Sequence, residues 1–330
     1  MSRKILAIGN ALVDVIAPVS PATLSDLGIT PGGMTLVDAE TSRKIHASLS
    51  ETRAVSGGSA ANTAAIAAML GARVAYAGKT SGDALGQSFA ADMDALGVAS
   101  VIAPETSGPD TGSCLSLITP DAQRTMCTHL GAATTLQAAD ISQAALTDAD
   151  IVFLEGYLLD APGGYEIFRH VIAARPQTLA LTLSDAGCVD RHAAFLDAIL
   201  GSIDLLFGNE EEMGALFPET TGPAQATLAA ARHVAGVICT DGPNGVHIGE
   251  HGLHAQLPAV KAEVRDTTGA GDSLAGTVLW GLAAGHSLID SARMATHVAA
   301  EVISGVGARP ARDLRDILAQ AGYLGTPAEA

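Results

Sequence analysis

IVFLEGYLLDAPGGYEIFRHVIAARPQTLALTLSDAGCVDRHAAFLDAILGSIDLLFG, residues 151–208, decides the fold. IVFLEG (151–156), TLALTL (178–183) and IDLLFG (203–208) are short apolar runs of strand length. Between them, YEIFRHVIAA (165–174) and RHAAFLDAIL (191–200) read as helices. Strands that alternate with helices of this length imply βαβ units and an α/β, doubly wound, mainly parallel sheet flanked by helices.

The same alternation extends outward. Upstream come the strand KILAIG (4–9), the Ala-rich helix NTAAIAAMLG (62–71) ending on Gly71, the strand RVAYAG (73–78) and a helix over 83–96. Downstream come strands near 236–240 and 245–249 and two closing helices, 270–284 and 288–304. Two stretches break the rhythm. Residues 12–53 hold Pro18, Pro21, Pro31, Gly32 and Gly33 with little helical periodicity. Residues 105–130 read as two strands, 114–119 and 124–130, around a turn at Pro120-Asp121. Both follow sheet strands, so they are expected to pair as a small β-rich lid over one sheet edge. The final TPAEA is expected to be disordered.

Composition narrows the function classes. Of 330 residues, 48% are apolar, and 35 acidic against 18 basic residues give a net charge of −17. That balance argues against general nucleic-acid or membrane-surface binding. Cys114, Cys127, Cys188 and Cys239 have no CxxC spacing and no clustered His partners, which argues against a zinc site or a disulfide framework and for reduced thiols. The apolar run near the N-terminus covers only Ile5 to Ile8, too short for a signal peptide. Residues 54–72 lack charge but include Ser56, Gly57, Gly58, Ser59, Asn62 and Thr63, a poor membrane span. A cytoplasmic protein is expected.

Two familiar phosphate motifs fail. AGKT (77–80) lacks the first glycine of a phosphate loop, because Arg73 stands there. Gly269-x-Gly271 is followed by Leu274 where the dinucleotide fingerprint needs its third glycine, which disfavours a nicotinamide dehydrogenase. The physics of DTTGAGDSLAGTVLWGLAAG (266–285) survives without those names. Gly269, Ala270 and Gly271 precede a helix whose first N–H groups have no internal partner and carry the positive end of its dipole. Asp272 could serve that dipole alone, or accept the proton of an attacking hydroxyl while the N–H groups hold a phosphate.

Further polar islands accompany it. SGGSAANT (56–63) places Asn62 near a helix start, where its amide offers donor and acceptor to a polyol; a plain cap by Ser59 is the alternative. Asn10 and Asp14 emerge after the first strand, where α/β sheets bind ligands. Asn209 and Glu212, three apart at an acidic helix start, can organise Mg²⁺ and its waters, while Glu210 and Glu211 read as dipole partners. TDGPNG (240–245) is a turn that could face a nucleotide or simply close a hairpin.

Taken together, these motifs resemble the ribokinase-like (PfkB) family of carbohydrate and nucleoside kinases, over nearly the whole chain. Residues 57–86 look like the family's first signature and 266–285 its second; segments such as GNALVDV (9–15) and DLLFGNEEE (204–212) look closest to the adenosine kinase branch. The resemblance implies a kinase domain from 1–11, 54–104 and 131–330, with 12–53 and 105–130 as substrate lid. It makes Asp272 the base and Gly269, Ala270 and Gly271 the anion hole. Asp14, Gly58 and Asn62, with Asn10 and Gly57 beside them, would hold sugar hydroxyls. Asn209 and Glu212 match an NxxE motif supporting Mg²⁺. Thr240, Gly242 and Gly245 match the nucleotide-side turn, with His297 beside the adenine. Asp266 would hold a monovalent cation such as K⁺.

The implied activity is ATP-dependent phosphorylation of a ribonucleoside by a monomer or homodimer. Within the same chemistry the alternative is a free-sugar kinase; in another class it is a ligand-binding protein on the same fold, although such a protein has no need of a base. Neither lid segment contains Phe, Tyr or Trp, so the obvious stacking partner for a purine is missing. Met34, His46, Met126, His129 or Tyr157 would have to substitute.

Overall fold

The computed structural model describes residues 3–121, 123–310 and 312–324; the terminal TPAEA lies outside them. Strands β1 (Lys4–Ile8), β5 (Arg73–Ala77), β6 (Ala99–Ser100), β9 (Ile151–Glu155), β10 (Thr178–Thr182), β11 (Leu205–Asn209), β12 (Gly236–Thr240), β13 (Val246–Glu250) and β14 (Leu253–Leu257) form one sheet. Its order is β14-β13-β12-β11-β10-β9-β1-β5-β6, parallel from β6 to β12 and antiparallel at the last two strands. The chain winds one way from β1 to β5 and the other way through β9 to β12, so the β1/β9 seam is the switch point where such sheets hold ligands.

Burial explains why the parallel strands read as continuous apolar runs. Ile5 and Ala7 of β1, with Ile151 and Phe153 of β9, enter one core; Leu6, Ile8, Val152 and Leu154 enter the other. Both faces are covered by helices, so successive side chains must all be apolar. Two of the covering helices touch almost backbone to backbone. Helices Ser59–Met69 and Ala270–Ala283 approach at Gly276, where an added Cβ would lie 2.5 Å from the Thr63 carbonyl oxygen.

The two interrupting segments, extended by 54–57 and Gly131 beyond the bounds expected from the sequence, form a second sheet: β2 (Leu12–Pro18), β3 (Met34–Leu36), β4 (Arg53–Gly57), β7 (Thr111–Ile118) and β8 (Arg124–Gly131), in the order β3-β8-β7-β2-β4. Residues 12–53 are less purely β than the sequence suggests. They also contain helices Pro21–Asp26 and Ala39–Ser48, capped by the side chains of Ser20 and Asp38. Short, polar and set among prolines and glycines, both helices lack the apolar periodicity that would announce them. Strand β14 and helix Pro223–Ala230 are further elements not expected from the sequence. No helix among the described residues is long and apolar enough to cross a membrane.

Candidate active site

Helix Ala270–Ala283 begins at Gly269, which is left-handed at φ 73°. An added Cβ there would lie 2.6 Å from Ala308, whereas one at Gly271 would meet nothing within 4 Å. Gly269 is therefore needed by the fold, and Gly271 leaves its backbone open to approach. The Ala270 N–H turns back to the Thr267 carbonyl at 3.2 Å, so the next two N–H groups of this first turn, those of Gly271 and Asp272, are the ones the helix start offers.

Asp272 sits where this turn meets helix Ser59–Met69. Its carboxylate accepts from Ser59 Oγ at 2.7 Å and from Asn62 Nδ2 at 3.0 Å. The Ser59 hydroxyl is thus not a cap; the helix N-cap is Gly58, without a side-chain bond. Enclosure by protein raises the Asp272 pKa from 3.8 to about 6, against the pull of the Ser59 and Asn62 hydrogen bonds and of the Arg309 charge.

Two cavities open on this carboxylate, at the C-terminal edge of the large sheet. The first, about 290 Å³, lies against Gly269, Ala270, Gly271, Asn209, Glu212 and Thr240. The second, about 320 Å³, lies between the sheets against Asn10, Asp14, Gly58, Asn62 and Glu155, with Met34, Leu36, Met126, Leu130 and Tyr157 on its apolar side. Asp272, Ser59, Ser184, Thr267 and Gly269 line both. A single carboxylate therefore faces two ligand-sized spaces from their common wall.

In the second cavity, Asn10 Oδ1 and Asn62 Oδ1 are buried without a hydrogen-bond partner. Buried amide oxygens are costly to leave unmatched, so they mark where a donor is wanted. Gly57 and Gly58 serve this floor by being small: a Cβ would lie 2.3 Å from the Asp14 carboxylate or 2.2 Å from the Asn10 carbonyl. Only Gly58 of the two lines the cavity.

On the other side, Asn209 and Glu212 hold each other. Glu212 N–H donates to Asn209 Oδ1 at 2.8 Å, Asn209 N–H to Glu212 Oε2 at 3.1 Å, and Asn209 Nδ2 to Glu212 Oε1 at 2.7 Å. This is a capping box, and it fixes Glu212 at the cavity wall. Burial raises its pKa to about 7, partly offset by the Asn209 N–H and reinforced by Asp185 and Asp272.

Several expected neighbours lie elsewhere. Gly242 and Gly245 do not line either cavity; Gly245, at φ 105°, is required by a tight turn in which a Cβ would lie 2.0 Å from the Leu257 carbonyl. His297 packs edge-on against Tyr323, ring centroids 5.5 Å apart, and lines neither cavity. His129 faces a small pocket on the other side of the lid sheet, because alternate residues of β8 point to opposite faces, and His46 of helix Ala39–Ser48 lines the same pocket. Met34, Met126 and Tyr157 do reach the second cavity. Asp266 holds backbone together: its carboxylate accepts from Thr268 N–H, Thr268 Oγ1 and Gly307 N–H.

Three groups at the site carry no signal in the sequence. Glu155, 1% exposed at the end of β9, accepts from Asn10 N–H and Ala60 N–H, both at 2.7 Å, and so ties the two segments that carry Asn10 and Asn62. Burial raises its pKa to about 7, opposed by those N–H groups and reinforced by Asp272. Ser184, at φ 77°, sits on the wall between the cavities, a strained position for a non-glycine residue. Arg309 pairs with Asp92 at 2.7 Å and places a half-buried cation near Asp272.

Similarity to known proteins agrees with this geometry. Among solved structures, a probable sugar kinase from Rhizobium etli CFN 42 superposes with a TM-score of 0.89 at 34% identity, covering 98% of this chain and 100% of that one. Adenosine kinase from Sinorhizobium meliloti superposes with a TM-score of 0.88 at 34% identity, covering 97% and 100%. Adenosine kinase of Saccharomyces cerevisiae is 28% identical over 336 residues, 93% of this chain and 96% of that protein. The match to an uncharacterized sugar kinase, YegV, of Escherichia coli is 26% identical over 202 residues and spans 60% of this chain and 63% of that protein. The pfkB family carbohydrate kinase profile matches residues 3–314, and the chain belongs to that family of phosphotransferases.

Proposed function

We propose that the protein transfers the γ-phosphate of ATP to the hydroxymethyl group of a ribonucleoside, adenosine first. The observation that carries this reading is Asp272 on the wall shared by two cavities. The acceptor hydroxyl would meet Asp272 from the second cavity and give up its proton there. With a pKa near 6, Asp272 is a stronger base than an ordinary aspartate yet is ionised at neutral pH.

The floor of the second cavity suits a ribose. Asn10 Oδ1 and Asn62 Oδ1 would each accept from a sugar hydroxyl, which relieves two unmatched buried oxygens, and Asp14 adds a carboxylate beside them. The apolar side favours a nucleoside over a free sugar: Met34, Leu36, Met126 and Leu130 offer a flat base what a polyol cannot use. The free-sugar kinase is the second reading, and the lid without aromatic rings is the observation that favours it.

The first cavity fits the phosphates. The Gly271 and Asp272 N–H groups and the helix dipole would stabilise charge on the transferred group, and the open space at Gly271 allows close approach. Thr240 would border the nucleotide. Bound Mg²⁺ would supply neutralisation of phosphate charge; Glu212, already bonded to Asn209, would reach it through water. A monovalent cation at Asp266 would share a carboxylate that already accepts three hydrogen bonds.

The test is ADP release with ATP and Mg²⁺ across nucleosides and free sugars, followed by competition between adenosine and ribose at equal concentration. Adenosine 5′-phosphate should dominate. Mostly ribose 5-phosphate would overturn the nucleoside assignment, and no ADP with any acceptor would overturn the kinase reading.

A further inference from the structure

Cys188 and His192 stand one turn apart on helix Ala186–Ile199 and face Asp160, the last residue of the short 3₁₀ turn that follows β9. A thiol sulfur, an imidazole nitrogen and a carboxylate oxygen from the three lie within 4.8 Å of one another. The expectation that no histidine clusters with a cysteine is wrong here, and the absence of CxxC pairs does not bear on this arrangement: the ligands come from a C-x-x-x-H spacing on one helix and an acid from another segment.

We propose that Asp160, Cys188 and His192 form a zinc site at the edge of the acceptor cavity, through which zinc inhibits the enzyme. The donor set is the first argument. Thiolate, imidazole and carboxylate are all zinc ligands, and a sulfur–nitrogen pair selects zinc over the hard, oxygen-seeking Mg²⁺. Reach is the second. Donors sharing a tetrahedral zinc at about 2.0–2.3 Å lie roughly 3.5 Å apart, so small side-chain rotations close the site.

The surroundings supply the rest. His192 Nε2 lies 2.8 Å from Asp160 Oδ1, and its Nδ1 lies 2.9 Å from the Tyr165 hydroxyl. An ion entering between His192 and Asp160 would take Nε2, while Nδ1–H donates to Tyr165, the outer hydrogen bond that orients a metal-bound imidazole. Asp160 itself lines the acceptor cavity, from which water can fill the fourth position. Protons balance: Cys188, fully buried with its thiol donating to the Gly156 carbonyl at 3.4 Å, must give up that bond and pass its proton to water in the cavity, and a neutral His192 moves its proton from Nε2 to Nδ1. Arg191 opposes the site, since its Nε and Nη2 donate to Asp160 at 3.0 and 2.7 Å. Its side chain is 50% exposed, however, so solvent screens its charge. With zinc bound, the water in its fourth position stands in the cavity that Asp160 already lines, and the acceptor loses room to settle.

The experiment titrates the chelator-stripped protein with zinc against a chromophoric chelator, without nucleotide or Mg²⁺, so its outcome does not depend on the kinase reading. One tight equivalent is expected. Cys188→Ala and His192→Gln should each weaken it by more than the roughly 10–100-fold that loss of an outer-shell partner costs, and Tyr165→Phe should fall within that range. Circular dichroism checks folding, and either ligand variant suffices alone. No tight equivalent in the unmodified protein, or its persistence in a folded ligand variant, would overturn the site. In assays, zinc should raise the acceptor KM of the unmodified enzyme and not of Cys188→Ala; an unchanged KM would overturn the inhibitory role.

Discussion

Asn62 Nδ2 donates to Asp272 Oδ2 across 3.0 Å, joining residues 210 positions apart at the point where two helices begin. The bond leaves Asn62 Oδ1 buried without a partner in a residue that lines the acceptor cavity, so one amide orients the base with one end and wants a donor at the other. If Asp272 takes the proton, Asp272→Asn should lose roughly 10²–10⁴ in turnover with acceptor KM little changed. Steady-state kinetics decide it, and near-normal turnover would remove Asp272 from the mechanism.

The glycine turn separates fold from chemistry. Gly269→Ala must strain a left-handed residue and press a methyl group on Ala308, so it should lower the melting temperature. Gly271→Ala meets open space in a helix's first turn and should keep or slightly raise stability. Its methyl group would stand where a phosphate approaches, and activity should fall at least roughly tenfold. A fully active Gly271→Ala would move the phosphate site away from this turn.

The raised carboxyl pKa values make a counter-intuitive stability curve. Asp272 titrates near 6, and Glu155 and Glu212 near 7, all above their ordinary values of 3.8 and 4.5. These three groups therefore bind more protons in the folded chain than in the unfolded chain between those limits, and together they outweigh His254, whose lowered pKa acts the other way. The stability these groups contribute is fully present below their unfolded values and is lost as pH rises through the folded ones. The melting temperature should fall from about pH 5.5 to about pH 8, and less steeply in Asp272→Asn, which has no charge to gain. A melting temperature that rises over this interval would contradict the burial assigned to these groups.

Glu212→Gln separates metal support from helix capping. The substituted amide could still bond Asn209, so the helix start should survive, while the charge beside the phosphate cavity is gone. Activity should drop chiefly at low Mg²⁺ and recover partly at high Mg²⁺. An unchanged Mg²⁺ dependence would leave Glu212 as a cap and nothing more.

The parallel sheet was legible because strands buried on both faces must be apolar throughout, as Ile151 to Leu154 are. Asp272, Asn62 and Glu212 were legible because each sits at a helix start with polar neighbours, a pattern visible locally. Glu155 was not, because a carboxylate closing an apolar strand looks the same whether it ends in solvent or is buried under two backbone N–H groups. His129 reads as a cavity candidate, but the face a strand residue takes depends on register, which pairing across the lid sheet sets; His46 rides on helix Ala39–Ser48, which packs on that other face. His297 and Gly242 illustrate the same limit: spacing locates an element, and tertiary packing decides what lines the space beside it.

The apolar side of the acceptor cavity carries the last prediction. Met34 and Leu36 are 37% and 51% exposed on β3, the edge strand of the lid sheet, and both line the cavity with Met126 of the adjacent β8. Apolar side chains at a cavity mouth are suited to being covered, and a nucleobase would cover them while the lid sheet moves toward the large sheet. Methionine grips by shape and polarisability, not by hydrogen bonds, and no aromatic ring on the lid fixes the base plane. Base selectivity should therefore be loose, with inosine and guanosine phosphorylated alongside adenosine. Met34→Ser and Met126→Ser should raise the nucleoside KM with turnover nearly unchanged, because contact with the base is made equally in the ground and transition states. Kinetics with three nucleosides test both statements: strict discrimination among purines, or an effect of the methionines on turnover alone, would place the base elsewhere.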